Sequence, residues 1–519
     1  MERRYLSLLE LDELDPTGKA RATISRMVGD SRSPISPLFQ GRKRSDYLDQ
    51  FQSKVFSNMR TERHGSYVAY SDEMTGKFGP QGGSFDLSIV INSFEESYAL
   101  AEAAKSVDMV LIGVQVLLSA IDYYLNHDCP VPYIPANYVG VTGTASAFPA
   151  FTSKGTFDAE TVGDYRNWRH LLLDVPGQRH TKCKYRTINQ DACSNVRYVE
   201  AILHTVRVWL KTYLPQYFSS WLNPNVYLRP MINSSIARRK TNYESDYKAM
   251  DNHYSRFIAE RVVLPIYERL LLPADYLHLA HYVHEAFEQP IFLGKFIATG
   301  LHNLLSGVTI TNDFETIYSV CLHLGAMHTC LTEKEIRNTD MAALGDDVFV
   351  MLPQSVSEAR LQDFKDCVMS EAALNGLEMQ EQKCRVATGD LRYCRRVYYE
   401  SAPRSINPHT GCLEIEGCYP TVLALNSAVN PENVPKSKEH AFVALLQVCD
   451  NAHGSPDWSA FVDYIWHMLP DDKQRLAEVI KASPDKFVED DWWSRLYNER
   501  FQLASSLTFK RWLARGFIS

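Results

Sequence analysis

Met341-Ala-Ala-Leu-Gly-Asp-Asp-Val-Phe-Val-Met-Leu352 is the stretch on which the fold turns. Small residues lead into Gly345, two adjacent carboxylates follow, and an apolar run closes the segment. Val348 to Leu352 is short and apolar throughout, with two β-branched valines and a phenylalanine, which predicts a buried strand. Gly345 lets the backbone turn where a side chain would crowd, so the segment reads as a tight β-hairpin. Asp346 and Asp347 are then held at a turn beside a buried strand, where divalent cations can be gripped for phosphoryl transfer. Taken alone, the tripeptide fits a solvated turn better.

The chain of 519 residues is long enough for a large core and several subdomains. Its hydrophobic fraction of 45% and charged fraction of 22% are those of an ordinary globular protein. No repeat or low-complexity tract interrupts it. The net charge of -8 excludes a protein coated in basic surface, but not one whose positive charge lines an internal channel. Eleven cysteines occur without a C-x-x-C pair, and Met1-Glu-Arg-Arg leads into a mixed, charged segment. No signal peptide and a reduced, intracellular setting are therefore expected. Cys321, His323, His328 and Cys330 lie on a predicted helix without sharing one face, so they read as helix interior and not as a zinc site. Met109 to Ile121 reads as a buried core helix, too short to span a bilayer and flanked by Asp108 and Asp122.

The first 70 residues, polar and Arg- and Ser-rich, suggest an arm that packs over another part of the chain. Residues 93–128, 198–222 and 255–290 carry helical periodicity, with a looser Pro- and Gly-rich region from 130 to about 155. Val356 to Gly376 predicts a helix capped by Ser355 or Ser357. Residues 402–437, with five prolines, read as loop, and the tail from Lys438 as helical and Trp-rich. The order is α+β.

Other segments share the chemistry. In Asp246-Tyr-Lys-Ala-Met-Asp251, both acids face one cleft if Asp246 ends a strand and a turn follows. Two-metal catalysis needs carboxylates from separate segments, with ions about 3.5–4 Å apart, and Asp246 with Asp346 supplies them. Asp251 also suits a helix start. Ser306-Gly307-Val-Thr-Ile-Thr311-Asn312 reads as a flexible loop and helix start whose hydroxyls and amide can bond a ribose, or as an N-cap. Lys182, Lys184 and Arg186 alternate, which on a strand sets three cations on one face for phosphate, or protects a solvated edge. Lys383, in Gly376-Leu-Glu-Met-Gln-Glu-Gln-Lys383, can protonate a leaving pyrophosphate, although most lysines are merely solvated.

In this order the segments resemble the motifs of viral RNA-dependent RNA polymerases. Lys184-x-Arg186-x-Ile188 is similar to motif F, Asp246…Asp251 to motif A, Ser306-Gly307…Thr311 to motif B and Gly345-Asp-Asp to motif C. Gly376…Lys383 is similar to motif D, Leu391…Tyr399 to the motif E hairpin and Thr152-Ser-Lys-Gly155 to motif G. The compact length and the form of motif A look most like the small bisegmented double-stranded RNA viruses, picobirnaviruses first and partitiviruses second. The resemblance implies a closed right hand: an N-terminal arm and fingers over 1–225, a palm of antiparallel sheet flanked by helices, with a fingers insertion, over 226–400, and a thumb over 401–519.

It further implies Asp246, Asp346 and Asp347 as ligands of Mg²⁺ or Mn²⁺, with Lys383 as the fourth catalytic residue. Lys184, Arg186, Asp251, Ser306, Gly307, Thr311 and Asn312 would bind the nucleotide, and Ser153 and Gly155 would border the template entrance. Template RNA, nascent RNA and nucleoside triphosphates are the implied partners, a viral capsid protein is a candidate one, and no membrane anchor is expected. The implied location is the virion interior or host cytoplasm. One departure stands out: where many plus-strand virus enzymes carry Asn four positions after the motif B Thr, this chain has Glu315, while Asn312 adjoins Thr311. A reverse transcriptase would carry Tyr at the position of Leu344 and would lack the second aspartate, Asp251. A non-catalytic RNA-binding or capsid-associated protein would need no acid cluster.

Overall fold

The acidic pair lies in a two-residue hairpin. Strands Asp340–Leu344 and Asp347–Leu352 pair antiparallel, with Leu344 opposite Asp347, which leaves Gly345 and Asp346 as the loop. Gly345 has φ 62 and Asp346 does not share the left-handed conformation, the pattern of a type II′ turn. Strand Thr241–Ser245 pairs along the other side of Asp347–Leu352, and Arg385–Thr388 completes an antiparallel four-stranded sheet. Asp347–Leu352 is paired on both edges, and each of its faces is buried in a hydrophobic core, which explains the unbroken apolar run. Val348, Val350 and Leu352 enter one hydrophobic core, Phe349 and Met351 a second. The structure, a computed structural model, describes residues 1–15, 18, 21–22, 29–30, 34–59, 62–80, 84–85, 87–127, 129–134, 172–178, 185–190, 193–431, 435–488 and 501–518.

Helix Thr311–Cys330 occupies the first core, and every residue from Asp313 to Met327 is buried. Helix Asp108–Leu125 crosses it at glycine contacts: a Cβ on Gly113 would lie 1.8 Å from the Cys321 carbonyl oxygen, and one on Gly325 2.2 Å from that of Met109. The crossing helix is longer than its apolar centre suggested, and by length and composition it could cross a membrane. Its packed face is Met109, Val110, Gly113, Val114, Leu117 and Ile121, the spacing of a helix laid along a core. Its first amides, on Met109 and Val110, donate to the Glu371 carboxylate of helix Glu358–Leu374. The latter helix is N-capped by Ser357, one of the two expected serines, whose hydroxyl accepts from the Arg360 amide.

The second core joins the two ends of the chain. Leu38, Tyr47, Phe51, Tyr67 and Met74 pack with helices Thr421–Val429, Lys438–Asn451 and Trp458–Met468. Tyr67 donates to Asp457 at 2.7 Å, and Thr421 donates to the other oxygen of that carboxylate at 2.6 Å. The polar N-terminal segment thus packs over the C-terminal third. Residues 402–437 are more ordered than their prolines suggested. Arg404–Ile406 pairs with Leu413–Ile415, and Thr421–Val429 is a buried helix entered through Pro420. Proline breaks a helix interior but not its start, so the apolar run after Pro420 could fold.

A five-stranded sheet runs in the order Glu2–Tyr5, Phe296–Thr299, Ile291–Phe292, Leu172–Gln178, Tyr185–Gln190. Arg186 lies on its edge strand, opposite Gly177. Lys182, Lys184, Ser153 and Gly155 lie outside the described residues.

Replacing Gly325 by Ala should cost about 3 kcal/mol in urea unfolding, because backbone faces the new methyl and cannot yield cheaply. Gly65→Ala, whose Cβ would meet nothing within 4 Å, should be neutral or mildly stabilising. Equal effects would refute the close crossing.

Candidate catalytic site

Asp246 directly follows strand Thr241–Ser245. Val348 pairs with Ser245, so carrying the register one residue further sets Asp246 across from Asp347, with Asp346 at the hairpin tip. The segment after Gly376 pairs with this strand end: the Gln380 amide donates to the Asp246 carbonyl, the Lys248 amide donates to that of Glu378, and Tyr247 bridges to Met379. That pairing delivers Lys383, whose Nζ stands 3.6 Å from Asp246 Oδ1.

Asp347 is a strongly perturbed acid. Burial, and then the adjacent Asp346 charge, push its carboxyl up to about 7, against the Cys394 amide, which donates to Oδ2 at 2.9 Å. Among the described residues no three His, Cys, Asp or Glu side chains close on a point that could hold a metal ion. The register brings the backbone positions of Asp246, Asp346 and Asp347 together at the turn of the hairpin. Asp347 is turned to the Cys394 amide, and Asp246 lies beside Lys383.

Helix Thr311–Cys330 holds the hairpin tip. The Gly345 amide donates to Thr316 Oγ1 at 2.8 Å, and Ser319 Oγ donates to the Gly345 carbonyl at 3.0 Å. A Cβ on Gly345 would lie 3.3 Å from Glu315 Oε2 and 3.5 Å from Asn312 Oδ1. Both residues in question for motif B therefore flank the turn. Thr311 spends its hydroxyl on the Leu305 carbonyl at 3.0 Å. The helix has Ile310 at its N-cap without a side-chain cap, so neither Ser306 nor Thr311 is the capping residue that the sequence allowed. Ser306 is buried, and Gly307 has φ 93 in the loop before the helix. Asp251 lies within a single helical turn, Met250–His253, and is buried.

Three site features escaped the sequence reading. Glu244, on the face that carries Asp347, is a buried acid that accepts from Arg385 Nη1 at 2.9 Å and from the Arg392 amide at 2.7 Å. The motif E hairpin, Asp390–Tyr393 with Arg396–Tyr399, turns through Cys394 and Arg395, both left-handed, where Asn-Gly would be usual. Thr316 and Ser319 grip Gly345; their spacing of three along one helix face was the available signal.

Cys321, His323, His328 and Cys330 form no metal site. Cys321 and His323 are buried and His328 is exposed. His323 donates from Nδ1 to the Ser319 carbonyl at 2.8 Å and meets Ser245 Oγ through Nε2 at 3.2 Å, tying the helix to the strand before Asp246. Burial pushes this imidazole down to about 4. A base held neutral stabilises the fold fully above its unfolded pKa of about 6.5, and that contribution, about 3 kcal/mol, is lost as pH falls toward 4. The melting temperature should therefore fall less steeply between pH 6.5 and 4.5 in His323→Gln than in the unaltered chain. Parallel slopes would contradict the buried neutral imidazole.

No protein-family profile and no curated protein matches the sequence. Solved structures do match. The chain is similar to the crystal structure of the RNA-dependent RNA polymerase of a human picobirnavirus, with TM-score 0.75 and 16% identity over 99% of each chain. It is similar also to the insertion loop deletion mutant of a human picobirnavirus RNA-dependent RNA polymerase, with TM-score 0.77 and 16% identity over 99% of this chain and 100% of that one. The chain shares the fold of these polymerases from end to end.

Proposed function

We propose that the chain is an RNA-dependent RNA polymerase that replicates and transcribes a viral RNA genome by two-metal nucleotidyl transfer. The carrying observation is that the end-to-end fold likeness and the acid register coincide: Asp246 ends one strand and Asp346-Asp347 opens its neighbour. In this reading the four-stranded sheet and its helices are the palm, the helices after residue 401 the thumb, and residues 1–225 supply the arm and fingers.

The donor set suits Mg²⁺ or Mn²⁺, since every donor is a hard oxygen and the raised Asp347 carboxyl marks a shortage of positive charge. Asp246 and Asp346 would be the main ligands and Asp347 the peripheral one, because the Cys394 amide holds one of its oxygens. Bound there, the cations would lower the pKa of the attacking 3′-hydroxyl and neutralise the triphosphate. The 3′-hydroxyl would lose its proton to solvent and its oxygen would attack the α-phosphorus; the bond from the α-phosphorus to the bridging oxygen of pyrophosphate would break, and Lys383, placed beside Asp246, would protonate the leaving pyrophosphate. Asp251 would read the ribose 2′-hydroxyl together with Asn312 or Glu315, since the Thr311 hydroxyl is already engaged. Ser306 and Gly307 would shape the loop against the nucleotide, Lys184 and Arg186 would meet its phosphates, and Ser153 and Gly155 would border the template entrance.

RNA template, nascent strand and nucleoside triphosphates are then the partners, a capsid protein is a candidate one, and the virion interior or host cytoplasm is the place of work. Asp346→Asn should abolish RNA synthesis on a defined single-stranded RNA with Mg²⁺ or Mn²⁺, with the melting temperature preserved. Full nucleotide incorporation by that variant would sink the mechanism.

A further inference from the structure

Among the described residues only four other than glycine take a positive φ: Arg239, Ala249, Cys394 and Arg395. Three of them form the turns that border the acids. Cys394 and Arg395 present an amide to Asp347. Ala249, at φ 46 and ψ 60, lies between Asp246 and Asp251. A left-handed alanine costs about 1–2 kcal/mol and persists only where its surroundings hold it.

What holds Ala249 is His253. This buried imidazole shares its Nδ1–H between the carbonyls of Lys248 and Ala249, each at 3.0 Å. The Asn252 amide donates to the same Ala249 carbonyl at 3.0 Å. Outside the turn, Asn303 Nδ2 donates to the Asn252 carbonyl at 2.8 Å, and the Leu304 amide donates to that of Tyr254 at 2.8 Å, docking the turn on the segment that leads to Ser306. Asp251 is therefore carried in a loop that His253 closes upon itself. The Asp-x4-Asp spacing does not require a histidine two residues beyond the second acid, and no step of nucleotidyl transfer uses this imidazole.

We propose that His253 is a positioning residue: by clamping the left-handed turn at Ala249 it fixes the placement of Asp251, and through it the choice of ribonucleoside over 2′-deoxyribonucleoside triphosphates. The inference rests on the polymerase reading. A histidine that served only overall stability would, on removal, slow both substrates alike. A clamp on Asp251 acts on the substrate that carries the 2′-hydroxyl.

The test is kcat and KM of the full chain for CTP and for 2′-deoxy-CTP on a primed single-stranded RNA. In His253→Leu, kcat for CTP should stay within about threefold, KM for CTP should rise, and the ribo-to-deoxy ratio of kcat/KM should fall about tenfold. His253→Asn, whose amide can donate to the same carbonyls, should recover much of the ratio. Ala249→Gly, which takes positive φ without strain, should leave it unchanged. An unchanged ratio in a His253→Leu chain that melts like the unaltered one overturns the inference, as does an equal loss for both substrates that Asn does not restore. If His253→Leu does not fold, Ala249→Val strains the same turn with the imidazole intact: a fallen ratio supports the clamp and an unchanged one overturns it. If the unaltered chain makes no RNA from either substrate, it is the polymerase reading that fails.

Discussion

Gly345 is bound at both its main-chain groups by one helix, its amide by Thr316 and its carbonyl by Ser319. The rest of the site depends on this double contact. A two-residue turn fixes the register of its hairpin, and a slip of one residue would carry every side chain of Asp347–Leu352 to the opposite face. Binding the turn to a buried helix prevents that slip and sets the hairpin tip at one height above the sheet. No side chain can replace the hydrogen at Gly345 without meeting Glu315 and Asn312 or giving up the left-handed backbone.

The helix that holds the turn is itself held by close approach. Gly113 and Gly325 let Asp108–Leu125 and Thr311–Cys330 touch backbone to backbone, and the Glu371 carboxylate receives the first amides of the crossing helix. His323 ties the same helix to Ser245, the residue before Asp246. One rigid element thus fixes two acid-bearing segments, while the pairing at Tyr247 and Met379 brings in Lys383. The strain sits where this rigidity can support it, in the non-glycine left-handed turns at Ala249 and at Cys394 and Arg395.

What the sequence made legible was local. An unbroken apolar run after Gly-Asp-Asp reads as a buried strand because burial on both faces removes any need for alternation, and a serine at 355 or 357 reads as a cap because its hydroxyl can satisfy an orphan amide, as that of Ser357 does. That Asp246 lies next to the Gly345-Asp346-Asp347 turn was legible through the order of motifs, not through either motif alone. The unread parts depend on distant contacts. Nothing in Tyr393-Cys-Arg-Arg396 announces a left-handed turn, because the Asp347 carboxylate that receives the Cys394 amide lies 47 positions earlier. The folding of the N-terminal segment onto Thr421 and Asp457 left no periodic signal, since its contacts are single side chains such as Tyr67. The helix Thr421–Val429 was hidden because the proline-rich composition around it reads as loop, although Pro420 stands before the helix start, where proline is tolerated.

The most direct measurement is anomalous diffraction from crystals of the chain soaked with Mn²⁺ and a non-hydrolysable nucleoside triphosphate. Two manganese peaks between Asp246 and Asp346, lost in Asp346→Asn crystals, are the expected result. Manganese bound only elsewhere, or none near the hairpin while the nucleotide is well ordered, would contradict the assignment of the Gly345-Asp346-Asp347 turn as the catalytic centre.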